Sequence, residues 1–218
     1  MKRFILLIFI CFNSIQVFSQ DTDYGNWFIY FGNGTLNDKW SVWGEVQYRN
    51  FNFAGDLEQL LIRSAIQYQI HPNITLAQGL GFIWSQPYVG DEKINTYEYR
   101  PYQQIFVRNR FGRVYLNHRY RIEERILEDD FRVRLRYFLS LNIPLNKSTL
   151  EPGAVYLSAY NEVFIHTDSP VFDRNRLYGG LGYVFSPSVR MELSTMTQMQ
   201  EQRSRGQFQI VLFHNFNL

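Results

Sequence analysis

The stretch Phe131-Arg132-Val133-Arg134-Leu135-Arg136-Tyr137-Phe138-Leu139-Ser140-Leu141-Asn142-Ile143 decides the fold. Phe131, Val133, Leu135, Tyr137, Leu139, Leu141 and Ile143 take every second position. Arg132, Arg134, Arg136, Ser140 and Asn142 fall between them, and Phe138 alone breaks the pattern. A period of two sorts the two sets onto opposite faces of a strand, whereas a helix would spread the arginines around its girth. The apolar face is long enough to cross a bilayer as a tilted strand, which takes about 9–11 residues. An arginine facing hydrocarbon at the bilayer midplane costs roughly 2–4 kcal/mol, so three on that side would be prohibitive and they turn into a polar interior. The reading is an all-β chain, a transmembrane antiparallel up-and-down β-barrel with an Arg/Glu-rich lumen.

The same alternation recurs outward from this strand. Trp40, Val42, Val46 and Tyr48 alternate with Ser41, Glu45, Gln47 and Arg49, with Trp43 the misfit. Leu60, Ile62, Ile66, Tyr68 and Ile70 alternate with Gln59, Arg63, Gln67 and Gln69, interrupted by Leu61. Leu76, Leu80, Phe82 and Trp84 oppose Thr75, Ala77, Gly79, Gly81 and Ser85, small residues that leave room inside a crowded barrel. Tyr97, Tyr99, Ile105 and Val107 oppose Glu98, Arg100, Gln104 and Arg108; Val114, Leu116, Tyr120, Ile122 and Ile126 oppose Asn117, Arg119, Arg121, Glu123 and Arg125. Further strands are expected at 154–165, 176–185, 189–200 and 207–218, with a first segment at 27–32. Short turns at 71–73, 109–112 and 186–188 then share one end, and the longer loops at 86–95 and 166–175 share the other, as in barrels with short periplasmic turns and longer external loops. These segments give an odd total, while single-chain bacterial barrels have even counts. The expectation is ten to twelve strands, twelve preferred, with 27–32 either paired to 20–26 or not spanning.

Lys2 and Arg3, then an apolar run from Phe4 to Phe12 and Val17-Phe18-Ser19, have the layout of a secretory signal peptide over residues 1–19, with a barrel domain over 20–218. An N-terminal membrane anchor is the alternative for 1–19. Cys11, the one cysteine, lies in that segment, so the chain after it has no disulfide or thiolate metal site. Removing Lys2 and Arg3 brings 22 basic residues level with 20 acidic ones, unlike the basic balance of a nucleic-acid binder. Only Lys2, Lys39, Lys93 and Lys147 of those cations are lysines; arginine suits dense bidentate pairing with carboxylates better. Aromatic content of 17% fits girdles of Tyr and Trp at two membrane interfaces.

A hairpin turning through Leu127 to Asp130 sets Glu123 beside Arg134 and Arg121 near Arg136, and Glu98 near Arg121 or Arg125. Glu45, Glu98, Glu123, Glu162 and Glu192 are the natural partners of the inward arginines. The expected lumen network is Glu45, Arg49, Arg63, Glu98, Arg100, Arg119, Arg121, Glu123, Arg125, Arg132, Arg134, Arg136, Glu162, Arg174 and Arg176. It reads as a salt-bridged plug, or alternatively as an electropositive path for anions.

At these residues the chain resembles a family of bacterial outer-membrane barrels catalogued as domain of unknown function 2490. The resemblance covers nearly all of the chain after the signal segment. It rests on Asp38-Lys39-Trp40 leading to Glu45, Gln47 and Arg49; on Glu98 and Arg100 with Gln103-Gln104; and on His118-Arg119-Tyr120-Arg121 with Glu123. Arg132, Arg134 and Arg136, Asn161-Glu162 with Phe164, and Asp173-Arg174-Asn175-Arg176 complete it. It implies a small barrel in the bacterial cell outer membrane with no assigned activity. The terminal Leu218 departs from the aromatic ending commoner among such barrels.

Chemistry is sparse. His71 sits in a Pro-containing turn, and His118 and His214 fall on the outward register, where interfacial anchoring suits them. His166, with Asp168 and Ser169 close behind, gives a triad set from one short loop, although triad members are oriented by separate elements. No metal-ligand spacing and no phosphate-cradling glycine loop is present, and no cofactor is expected. Three readings follow: a structural or partner-binding barrel with a closed lumen and no catalytic activity, touching outer-membrane lipid and another envelope protein; a narrow anion-favouring channel or small-solute pathway; and, a distant third, a lipid hydrolase or acyltransferase.

Overall fold

The computed structural model describes residues 24–218; the expected signal segment, and the alternative anchor there, lie outside the described residues. Thirteen strands follow in order: β1 (Gly25–Thr35), β2 (Trp40–Asn50), β3 (Leu57–His71), β4 (Ile74–Ser85), β5 (Tyr88–Val89), β6 (Glu92–Lys93), β7 (Thr96–Phe111), β8 (Val114–Ile126), β9 (Phe131–Pro144), β10 (Val155–His166), β11 (Phe172–Val184), β12 (Val189–Met199) and β13 (Ser204–Asn217). All but β5 and β6 close a single barrel, in the order β1-β13-β12-β11-β10-β9-β8-β7-β4-β3-β2. β5 and β6 form a separate two-residue hairpin within the loop 86–95.

The barrel has eleven strands, inside the expected range but not the preferred twelve. Residues 27–32 belong to the full-length β1, not to a fragment. In a meander each strand reverses its predecessor, so with an odd number the first and last run the same way and the seam between them is parallel. That is the arrangement found: Gly25 pairs with Gln207 and Thr35 with Asn217 in parallel register, while every other barrel contact is antiparallel. β1 escaped the period-two reading because it is apolar on both faces, Trp27, Ile29 and Phe31 inward and Phe28 and Tyr30 outward.

Turns are short at one end: 36–39, 72–73, 112–113 and 185–188, with 145–154 the exception. The two-residue turn Gly112-Arg113 begins at φ 59° on Gly112, where the first central position of a type II′ turn favours glycine. β7 therefore runs through Phe111, further than the expected turn at 109–112. At the other end, the loop 86–95 folds onto the loop 51–56: the Tyr88 hydroxyl reaches Asp56 at 3.2 Å and Lys93 donates to the Leu57 carbonyl at 2.7 Å. The expected loop 166–175 is shorter, 167–171, because β10 includes His166 and β11 starts at Phe172.

Side chains sort as the pleat dictates. Leu80, Ile122, Leu135 and Leu177 stand exposed on the outer wall, and Glu45, Arg63, Glu123 and Arg134 are buried inside. Small inward residues make room for large ones. A Cβ on Gly79 would lie 2.3 Å from the Tyr102 ring, which crosses that glycine to donate from its hydroxyl to the Ser64 carbonyl at 3.0 Å.

Candidate functional site

The lumen holds the chemistry, and two layers divide it along the barrel axis. The first is an ion-pair layer. The β8–β9 register sets Arg121 opposite Arg136 and Glu123 opposite Arg134, around a turn closed by the Leu127 N–H donating to the Asp130 carbonyl at 2.9 Å. Four positive charges thus converge on Glu123, which has no solvent exposure: Arg134 at 2.6 Å, Arg121 at 3.0 Å, Arg63 at 3.9 Å and Arg136 in direct contact. Glu162 takes Arg119 and Arg136, each at 2.6 Å, with Arg176 at 3.9 Å. Glu45 holds Arg63 at 2.7 Å, and Glu98 holds Arg100 at 2.5 Å and Arg125 at 2.6 Å.

Not every expected member joins. Arg132 is inward by register but lies at the strand end, where it bonds to the equally exposed Asp130 at 2.6 Å. Glu192 pairs with no arginine within 4 Å among the described residues; it accepts from the Tyr156 and Tyr178 hydroxyls. Arg174 is bound at 2.9 Å to Asp173, a residue absent from the expected network. Asp173 also takes Arg134 at 2.8 Å. It reaches inward because the β10–β11 register slips between Phe164 and Ile165, which pair with Arg174 and Phe172 and leave Asp173 as the extra residue of a bulge. Sequence alternation cannot announce a bulge; the run Asp173-Arg174-Asn175-Arg176 carried the only hint.

Arginines outnumber carboxylates in this layer, so the lumen is less balanced than the whole-chain charge. Rings and amides take the surplus. Arg49 lies 3.8 Å from the Trp27 centroid and donates to Gln47 and Gln59. Arg121 lies 4.4 Å from Tyr102 and donates to Gln104 at 2.8 Å. Phe164, 1% exposed, sits among Arg134, Arg136, Arg174 and Arg176 at 4.4–5.9 Å. Cation–π contacts of this kind are worth about 2 kcal/mol when desolvated.

The second layer is a cavity of 860 Å³ opening at the short-turn end. Asp38, Lys39, Asn73, Arg110 and Asn215 line its mouth, and Glu45, Arg63, Arg136, Glu162 and Arg176 line its inner end. The ion-pair layer is therefore the floor of the cavity.

The histidines are dispersed. His118 Nδ1 lies 2.9 Å from the Tyr137 hydroxyl and His214 Nδ1 3.2 Å from that of Tyr30. His71 Nδ1 accepts from the Asn73 N–H in its turn. His166 is buried with Nε2 3.8 Å from Asp173, whereas Asp168 and Ser169 are exposed. Among the described residues no group of three or more His, Cys, Asp or Glu is arranged to hold a metal ion.

A family model described as "Protein of unknown function (DUF2490)" matches residues 24–209. No curated protein and no solved structure matches the chain.

Proposed function

The chain belongs to that family of proteins of unknown function, and from this premise we propose that it is a bacterial outer-membrane barrel with a closed lumen, serving a structural or partner-binding role in the envelope rather than catalysis. One observation carries the reading: the barrel is inside-out. Leu80, Leu177, Leu181 and Ile66 are each more than half exposed on the outer wall while the arginines and glutamates fill the interior. Soluble monomers rarely expose contiguous apolar patches beyond a few hundred Å². Strands of 11–16 residues reach across a hydrocarbon core of about 30 Å. Closure of the ladder leaves no unpaired edge, which is what a lipid environment demands. The C-terminus then lies with the short turns on the periplasmic side.

The ion-pair layer supports a lumen shut to solutes, since Glu123, Arg134, Arg136 and Glu162 pair along the neighbouring strands β8, β9 and β10 at almost no exposure, and Arg63 of β3 reaches Glu123 across the interior at 3.9 Å. Outer-membrane lipid contacts the wall, and another envelope protein is the partner class. The arginine surplus favours a second reading, a narrow anion path. Conductance of the purified full chain in planar bilayers separates the two. Steady current is absent if the layer is a plug. Anion-selective openings that disappear in Arg134→Ala would replace the plug with a channel.

A further inference from the structure

We propose that the cavity at the short-turn end is a binding site for a small amphiphilic anion, a carboxylate, sulfonate or phosphate ester carried on a short apolar or aromatic body. The proposal stands on the cavity itself and holds whether or not the outer wall meets lipid. At 860 Å³ the space lies within the range of about 300–1,000 Å³ common to small-molecule sites.

Cations outnumber acids on its wall, and the Glu192 carboxylate in that lining is already held by the Tyr156 and Tyr178 hydroxyls. Among the described residues Arg108, Arg110 and Arg190 line the cavity with no carboxylate within 4 Å. Arg108 donates to the Thr75 hydroxyl and Arg110 to two backbone carbonyls, at Gly112 and Ser148. Arg190 lies over the Phe213 ring at 3.9 Å with its buried Nε unpartnered. Lys39 and Asp38 both line the mouth. A guanidinium without a counter-charge in a concave wall is a site for an anion, and its forked donors match carboxylate and phosphate geometry.

Between the mouth and the ion-paired floor the wall is aromatic. Phe31 stacks between Trp43 at 5.9 Å and Phe213 at 5.1 Å, and Tyr160 stacks on Tyr178 at 4.3 Å with Phe138 tilted against it at 4.9 Å. Deeper still, Gln209 is 1% exposed, lines the cavity, and has an amide nitrogen with no partner, a buried polar group that a closed structural core would ordinarily satisfy. An anionic group at the arginines with its body among the rings satisfies both layers; a fully hydrated ion would leave the rings wet.

The test uses the purified, folded full chain in non-ionic detergent, titrated with naphthalene-2-carboxylate. Quenching of intrinsic tryptophan fluorescence reports on Trp43 and Trp27 in the lining, and empty micelles serve as the blank. The expected result is saturable one-to-one binding. Affinity falls about tenfold or more for the neutral naphthalene-2-carboxamide and for the double variant Arg108→Gln/Arg190→Gln, as the loss of charge-assisted bonds requires. Arg203→Gln, at the opposite end, leaves it unchanged. Heat-modifiable migration in gels establishes that each variant is folded. Non-saturable uptake equal to the blank, equal affinity for acid and amide, or full affinity in the folded double variant would each overturn the proposal.

Discussion

Glu123 concentrates the physics of the interior in one side chain. Its Oε1 takes Arg121 and Arg136 while its Oε2 takes both Nε and Nη2 of Arg134. An ion pair of this kind adds little net stability over apolar packing, yet breaking one partner leaves the others buried and uncompensated, a cost of about 3–5 kcal/mol. Glu123→Gln keeps the shape and removes the charge, so a loss of that order is expected in a denaturant or thermal unfolding midpoint measured in detergent. A change within about 0.5 kcal/mol, the level of an ordinary surface substitution, would show that the arginines do not depend on it. At this scale the sequence was legible wherever alternation was strict: Glu123 against Arg134 and Arg121 against Arg136 follow from the hairpin register alone. Trp43, Leu61 and Phe138, misfits to the pattern, proved to be inward residues. Phe138 underlies Arg119 at 4.7 Å, Trp43 stacks on Phe31, and Leu61 is 1% exposed. An aromatic in the polar register of an arginine-rich strand is a ring placed for a guanidinium, a signal that a hydrophobic/polar alphabet discards.

At the scale of the strand, two features lay beyond the reach of pattern. The β11 bulge adds one residue and brings Asp173 inward, and nothing in a period-two reading distinguishes an extra residue from a loop. The seam is the other. β1 is apolar on both faces, so its length and direction depend on what it pairs with, and the parallel match to β13 is a consequence of counting strands around a closed ring. The register makes this testable, because the described residues contain no cysteine. Tyr30 and Leu212 are direct partners on the outer wall, and a disulfide spans Cα separations of about 4.4–6.8 Å. Tyr30→Cys/Leu212→Cys should cross-link under mild oxidation and shift the migration of the unfolded chain. Tyr30→Cys/Phe216→Cys, displaced by four positions along β13, should not. The reverse outcome would mean that the barrel closes in another register.

For the whole molecule, topology and charge distribution act together. Eleven strands with no free edge put the apolar residues outside and leave an interior too narrow for its arginines to remain apart, so they share carboxylates, amides and rings in one layer and leave a cavity below it. The alternation in 131–143 was enough to foresee a barrel with inward arginines; the division into floor and cavity was not, because depth along the axis depends on register and stagger that accumulate over every hairpin. Arg132 and Arg134 share a face of β9, but the first is exposed at the rim and the second is buried.

The reading rests most heavily on hydrocarbon surrounding the wall, and spin-label accessibility tests that directly. Single cysteines replacing Leu80, Ile105, Ile122 and Leu135 on the outer wall, and Ser140 and Ser158 in the lumen, would be labelled and the folded chain reconstituted in vesicles. Labels on the outer set are predicted to collide readily with oxygen and poorly with a water-soluble nickel chelate, with the lumen pair shielded from oxygen. Outer-wall labels that relax with the nickel chelate as freely as a label on the loop 51–56 would place that wall in water and contradict the membrane assignment.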